Sequence, residues 1–142
     1  MLTHSAIDAA TVQAYRETEY RVLGSMPAVL RVGARCAGLE ALHRAHGSTC
    51  SAFVTACNPS GRIVAEDINA RRQRALAAEI SRRGLAAIPG IGVHPAGGWP
   101  GEPSFLVPGL ARQAAGELGR LFEQNALIWS GEDAVPQLLL LR

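Results

Sequence analysis

Cys50-Ser51-Ala52-Phe53-Val54-Thr55-Ala56-Cys57 is short, apolar and β-branched at its centre, and it breaks at Asn58-Pro59-Ser60-Gly61. A run of this length, bounded by turn residues, predicts a central β-strand. Downstream, Glu66 and Asp67 supply the negative charge that a helix N-terminus prefers. Ile68, Leu76 and Ile80 then share one face until Arg83-Gly84 ends the longest helix. Leu85 to Val93 reads as a strand. Pro89 and Gly90 interrupt it and place it at an edge or a bulge, because proline has no N–H for a ladder. Pro95 to Gly101 is a loop and Ser104 to Val107 a strand. Leu110 to Phe122 is a helix with Leu118, Leu121 and Phe122 inward, and Ala126 to Trp129 is a further strand. After a turn at Gly131-Glu132-Asp133 come Gln137 to Leu141, whose four leucines suit a strand buried on both faces.

Upstream of the opening stretch the signals are shorter. Ser5 to Ala14 has apolar residues at Ile7, Ala10 and Ala14 behind a candidate N-cap, Ser5. Thr18 to Leu23 and Ala28 to Val32 read as strands around Gly24-Ser25, and Gly38 to His46 as a helix that stops at Gly47. The order from Cys50 onward is β-α-β-β-α-β plus one strand, the split βαβ arrangement termed ferredoxin-like. The expected fold is therefore α+β: one domain over residues 1–142, with a ferredoxin-like core at 50–142, residues 1–49 extending the sheet, and helices packed on a mixed sheet.

Composition agrees with a single core. At 142 residues the chain can bury one core and not two. Hydrophobic residues make up 48% and aromatics only 5%, so Ala, Leu, Val and Ile must fill the interior. All 14 basic residues are arginine, against 12 acids, and a net charge of +2 is too small to favour a polyanion. Cys36, Cys50 and Cys57 form no C-x-x-C and leave an odd thiol, which points to a reducing compartment. The N-terminus has neither the basic nor the apolar region of a secretion signal, and no apolar run reaches membrane-spanning length. Cytoplasmic residence and no membrane partner are the expectations. No cofactor signature is present: Gly90-Ile91-Gly92 does not complete a dinucleotide fingerprint, because position 95 is proline and no helix follows.

Several polar segments stand out against this background: Tyr15-Arg16-Glu17-Thr18-Glu19-Tyr20, Thr55-Ala56-Cys57-Asn58-Pro59, Asn69, Glu102-Pro103-Ser104-Phe105 and Phe122-Glu123-Gln124-Asn125-Ala126. In this order they resemble the bacterial domain-of-unknown-function family 3293. Its members are similar in length and carry Tyr-x-x-Thr, Thr-Ala-x-Asn-Pro, a downstream Asn, Glu-x-Ser and Phe-x-Gln-x-Ala. Cys57 stands where relatives often have Trp. The resemblance covers nearly the whole chain and implies no reaction; it marks positions, not chemistry.

The leading candidate site joins Asn58, Asn69, Glu102 and Gln124, all at or near the ends of expected elements. Amide donors and acceptors with one carboxylate suit a small polar ligand, with Glu102 as general acid or base and the amides orienting the substrate. Each residue also has a structural reading: Asn58-Pro59 as a turn, Asn69 as a brace near a helix start, Gln124 as a cap. Trp99, in the glycine loop, is a candidate ligand-binding lid or a plug for the sheet edge.

Other chemistry is less well supported. His43, His46 and Cys50 lack a complete metal-ligand set, so no metal is expected and the imidazoles read as surface groups. His94 has no nucleophile partner motif, and Cys57, the one thiol beside the candidate site, reads as packing. Arg71, Arg72, Arg74, Arg82 and Arg83 read as a solvated helix face. The rival function is a noncatalytic interaction module that uses this helix or a sheet edge to bind protein or nucleic acid. Nucleic acid is disfavoured because no base-stacking aromatic motif is present, and homo-oligomerisation stays open.

Overall fold

The computed structural model describes residues 6–97 and 101–142. The stretch that opens the sequence reading forms β3 (Ser51–Val54), every residue of which is buried. Around it lie α1 (Ala9–Glu17), β1 (Glu19–Val22), β2 (Ala28–Leu30), α2 (Ala37–Ala45), a 3-10 turn (Pro59–Gly61) and α3 (Glu66–Arg82). The chain continues through β4 (Ile88–Val93), β5 (Glu102–Pro108), α4 (Arg112–Leu121), β6 (Ala126–Ser130) and β7 (Gln137–Leu140).

The strands form one sheet in the order β2-β1-β4-β5-β3-β6-β7, and every pairing is antiparallel. Side chains alternate between its faces. Ala52 and Val54 pack with Leu76 and Ile80 of α3 and with Ala115 and Leu118 of α4. Phe53 points the other way, to Leu39 and Leu42 of α2, Leu30 of β2 and Ile128 of β6. The two ends of the sheet approach each other on that side. Gly33 N donates to Pro136 O at 2.8 Å and Cys36 N to Ala134 O at 3.0 Å, tying the exit of β2 to the entry of β7.

The result is a seven-stranded antiparallel sheet curled into a half-barrel. This overturns the expected ferredoxin-like core on a mixed sheet. The β-α-β-β-α-β order along the chain is present, but its strands are part of one curled seven-stranded sheet that β1, β2 and β7 complete, and among the described residues no pairing is parallel, against the expected mixed sheet. Helices cover both faces, and residues 19–45 help build the concave core instead of merely lengthening the sheet.

Two strand placements also differ from expectation. β4 lies inside the sheet, between β1 and β5. Its proline is tolerated because Pro89 O accepts from Leu23 N at 2.9 Å, so the missing N–H falls on the same side, just past the last paired residue of β1. Gly90 is required there: a Cβ would meet the Phe53 ring at 2.6 Å and Arg21 O at 2.9 Å. β7, conversely, is an edge strand, and its leucines are half-buried with Leu140 exposed.

Smaller corrections concern side chains. The N-cap of α1 is Asp8, whose carboxylate accepts from Thr11 N at 2.8 Å, while Ser5 lies outside the described residues. Leu121 and Ile68 are exposed; Leu118, Leu76 and Ile80 face the core. His43 is buried and hydrogen-bonded through Nε2 to Ser51 Oγ at 2.8 Å, so it is not a surface imidazole. Among the described residues, no helix is long and apolar enough to cross a membrane.

Candidate functional site

β3, β4 and β7 end, and β1, β5 and β6 begin, at one mouth of the half-barrel, with α1 across it. A cavity of about 900 Å³ opens there. Asn58, Asn69, Glu102 and Gln124 all line it, although they come from four separate segments of the chain.

Asn58 organises the group. The chain leaves β3 and turns at Asn58 with φ 49° and ψ 66°, a left-handed conformation that Asn tolerates better than most residues. Its Oδ1 accepts from Val64 N at 3.2 Å and from Asn69 Nδ2 at 2.9 Å, while its own N–H donates to Asn69 Oδ1 at 2.8 Å. With Oδ1 occupied twice, the amide can only direct Nδ2 to Glu102, whose Oε2 accepts at 3.0 Å. The asparagines therefore brace the turn, as their structural reading expects, and Asn58 also holds the Glu102 carboxylate.

Glu102 is the first residue of β5, and its position is set from behind. Thr55 Oγ1 donates to Pro103 O at 2.7 Å and accepts from Cys57 N at 3.1 Å, joining the exit of β3 to the entry of β5. Gln73, one turn along α3 from Asn69, accepts from Ala56 N at 2.7 Å. Burial raises the pKa of the Glu102 carboxyl above its ordinary 4.5, and the Asn58 hydrogen bond opposes that shift only in part. Among the described residues, Oε1 has no protein partner.

Gln124 is placed differently. It is buried, and Nε2 donates to Cys57 O at 3.1 Å and Phe122 O at 3.2 Å, so its amide hydrogens secure the backbone beside the cavity it lines. Ser60 N donates to Glu123 O at 2.7 Å, fastening the same two loops again. Trp99 lies outside the described residues, and so does the centre of the loop read as a lid. Burial also raises the pKa of the Cys57 thiol, which keeps it protonated and fits a packing role.

Residues that sequence reasoning did not assign to the site complete the lining. Tyr15 Oη accepts from Asn125 Nδ2 at 3.1 Å, and Tyr15 O accepts from Tyr20 Oη at 2.6 Å, which docks α1 over the mouth. Tyr15, Tyr20, Thr55 and Asn125 all fall within the polar segments that stand out in the sequence; Gln73 carries no such signal. Arg72 is a further correction. Nε donates to Ala56 O at 2.6 Å and Nη2 to Phe122 O at 2.5 Å, so it braces the site's loops and does not belong to a solvated face. Among the described residues, no group of three or more His, Cys, Asp or Glu side chains could hold a metal ion.

The architecture is thus an α+β half-barrel with a polar cluster in one mouth. Over residues 54–127 the chain matches the family described as protein of unknown function (DUF3293), and it belongs to that family. The matched span contains Asn58, Asn69, Glu102 and Gln124. Searches of curated proteins and of solved structures found no match.

Proposed function

We propose that this protein binds a small polar molecule in the mouth cavity and exchanges a proton with it through Glu102, while Asn58, Asn69 and Gln124 hold the geometry. The observation that carries this reading is the Glu102 carboxylate. It is pinned at one oxygen by Asn58 Nδ2 at 3.0 Å, has no protein partner at the other among the described residues, and lines a cavity of about 900 Å³. That second oxygen keeps its acceptor capacity for a donor that enters the cavity. The left-handed Asn58 adds support, since backbone strain collects where a side chain must be aimed. Burial raises the carboxyl's affinity for a proton, as general acid–base work near neutral pH requires.

The size and lining suit a molecule with an apolar portion. Phe53, Ile128 and Leu138 line the cavity together with the polar cluster. A thermal-shift screen of small polar compounds on wild type, Glu102→Gln and Glu102→Ala tests the proposal. Compounds that raise the wild-type Tm should lose that effect in Glu102→Ala. Shifts that persist unchanged in both variants would remove Glu102 from the site.

A further inference from the structure

We infer that the molecule bound in the mouth cavity is a small organic cation, an ammonium or amidinium head placed at Glu102 with an apolar body along the concave wall. The inference rests on the binding function proposed above and narrows it to one charge class.

The sign of the lining carries it. The chain has 14 arginines and 12 acids, so a cavity lined at random would hold both signs. Among the described residues no arginine lines this one, whereas Glu102 does, with Asp8 and Glu66 exposed at its rim. Among the described residues, His94 is the only lining side chain able to become cationic. Residues 1–5 and 98–100 contribute no Arg or Lys by sequence. An anionic ligand would meet carboxylates and no guanidinium in the lining, the adjoining Arg142 being directed to Asn125 Oδ1 at 3.0 Å, an arrangement that proteins which bind phosphates and carboxylates avoid.

The remaining groups complement a cation. Glu102 Oε1 is an acceptor without a protein donor among the described residues. An N–H from the ligand would fill it, and the positive charge would hold the buried carboxylate in its ionised form. Asn58 Nδ2 already supplies a hydrogen to the other oxygen at 3.0 Å, so the carboxylate keeps its orientation when the ligand arrives. Tyr15, Tyr20 and Phe53 line the same space, and aromatic rings accept both an apolar body and a neighbouring positive charge.

Titration calorimetry with two matched probe series separates the cases. The series are phenethylamine, phenethyl alcohol and hydrocinnamate, and hexylamine, hexanol and heptanoate, each measured on wild type and Glu102→Gln. Glu102→Gln preserves side-chain shape and its fold is checked by thermal unfolding. The amine of each series should bind wild type at least about tenfold more tightly than the alcohol, with the carboxylate weakest. Glu102→Gln should bring amine and alcohol within roughly threefold of each other, the amine losing the most affinity. A carboxylate or alcohol that binds as tightly as the amine overturns the cation assignment and leaves the binding function standing. No binding by any member of either series overturns both.

Discussion

Asn58 Nδ2 donates to Glu102 Oε2 at 3.0 Å across 44 positions of sequence, and the same Asn58 amide is locked from its oxygen side by Val64 N and Asn69 Nδ2. One side chain therefore both closes the turn after β3 and aims the only carboxylate of the polar cluster. Its conformation and its hydrogen bonds can be separated by mutation.

Asn58→Gly keeps the left-handed backbone accessible and removes the side-chain bonds, whereas Asn58→Ala removes both. Urea unfolding should place Asn58→Ala about 1 kcal/mol below Asn58→Gly, the cost of holding a residue with a Cβ in that region. Equal stabilities would mean that the turn relaxes without strain.

Glu102 should make stability depend on pH with a definite sign. In the unfolded chain its carboxyl ionises near the ordinary 4.5, while in the fold burial holds the proton to higher pH. Below 4.5 both states are protonated; as pH rises past it, only the unfolded state ionises, so wild type loses stability until the folded pKa is passed. Glu102→Gln should therefore gain on wild type between pH 4.5 and neutrality, measured as the difference in urea midpoints. A difference that is flat or falls over this range contradicts the assignment.

His43 should act oppositely on the low side of neutrality. Burial depresses its folded pKa below the usual 6.5, against a smaller raising effect from Glu40. As pH falls through 6.5 the unfolded state takes up the proton first, and stability declines. His43→Gln should flatten that decline in a pH series of thermal melts. Ser51→Ala, which strips the partner from His43 Nε2, should cost about 1–3 kcal/mol at neutral pH.

Gly61 holds the cavity floor open for Asn125. At φ +73°, a Cβ there would lie 2.8 Å from Asn125 Nδ2. Gly61→Ala should destabilise by about 1–3 kcal/mol. It should also shift the Tyr15 ring resonances, because Asn125 Nδ2 bonds to Tyr15 Oη. Unmoved Tyr15 signals would show that α1 is docked independently of Asn125.

The sequence carries local structure well and long-range geometry poorly. The strand at Ser51–Val54 and the helix at Glu66–Arg82 follow from residue spacing and end signals. The curl does not, because it depends on bonds such as Gly33 N to Pro136 O between segments with no shared pattern. Pro89 argues for an edge in any local reading; only the short length of β1, which ends before it, lets the strand sit inside the sheet. The four polar residues of the mouth were legible because polar groups at element ends collect where strands terminate. His43, Arg72 and Gln73 were not, since a polar residue within an amphipathic helix looks the same in sequence whether it meets water or a polar group of the fold.

The most direct test of the mouth cavity as a binding site is the side-chain amide signal of Asn58 in nitrogen–proton NMR spectra during titration with the small polar compounds that raise Tm. A binding site there predicts saturable movement of the Asn58 Nδ2 resonances, abolished in Glu102→Ala. Asn58 signals that stay fixed while resonances elsewhere on the protein shift would contradict it.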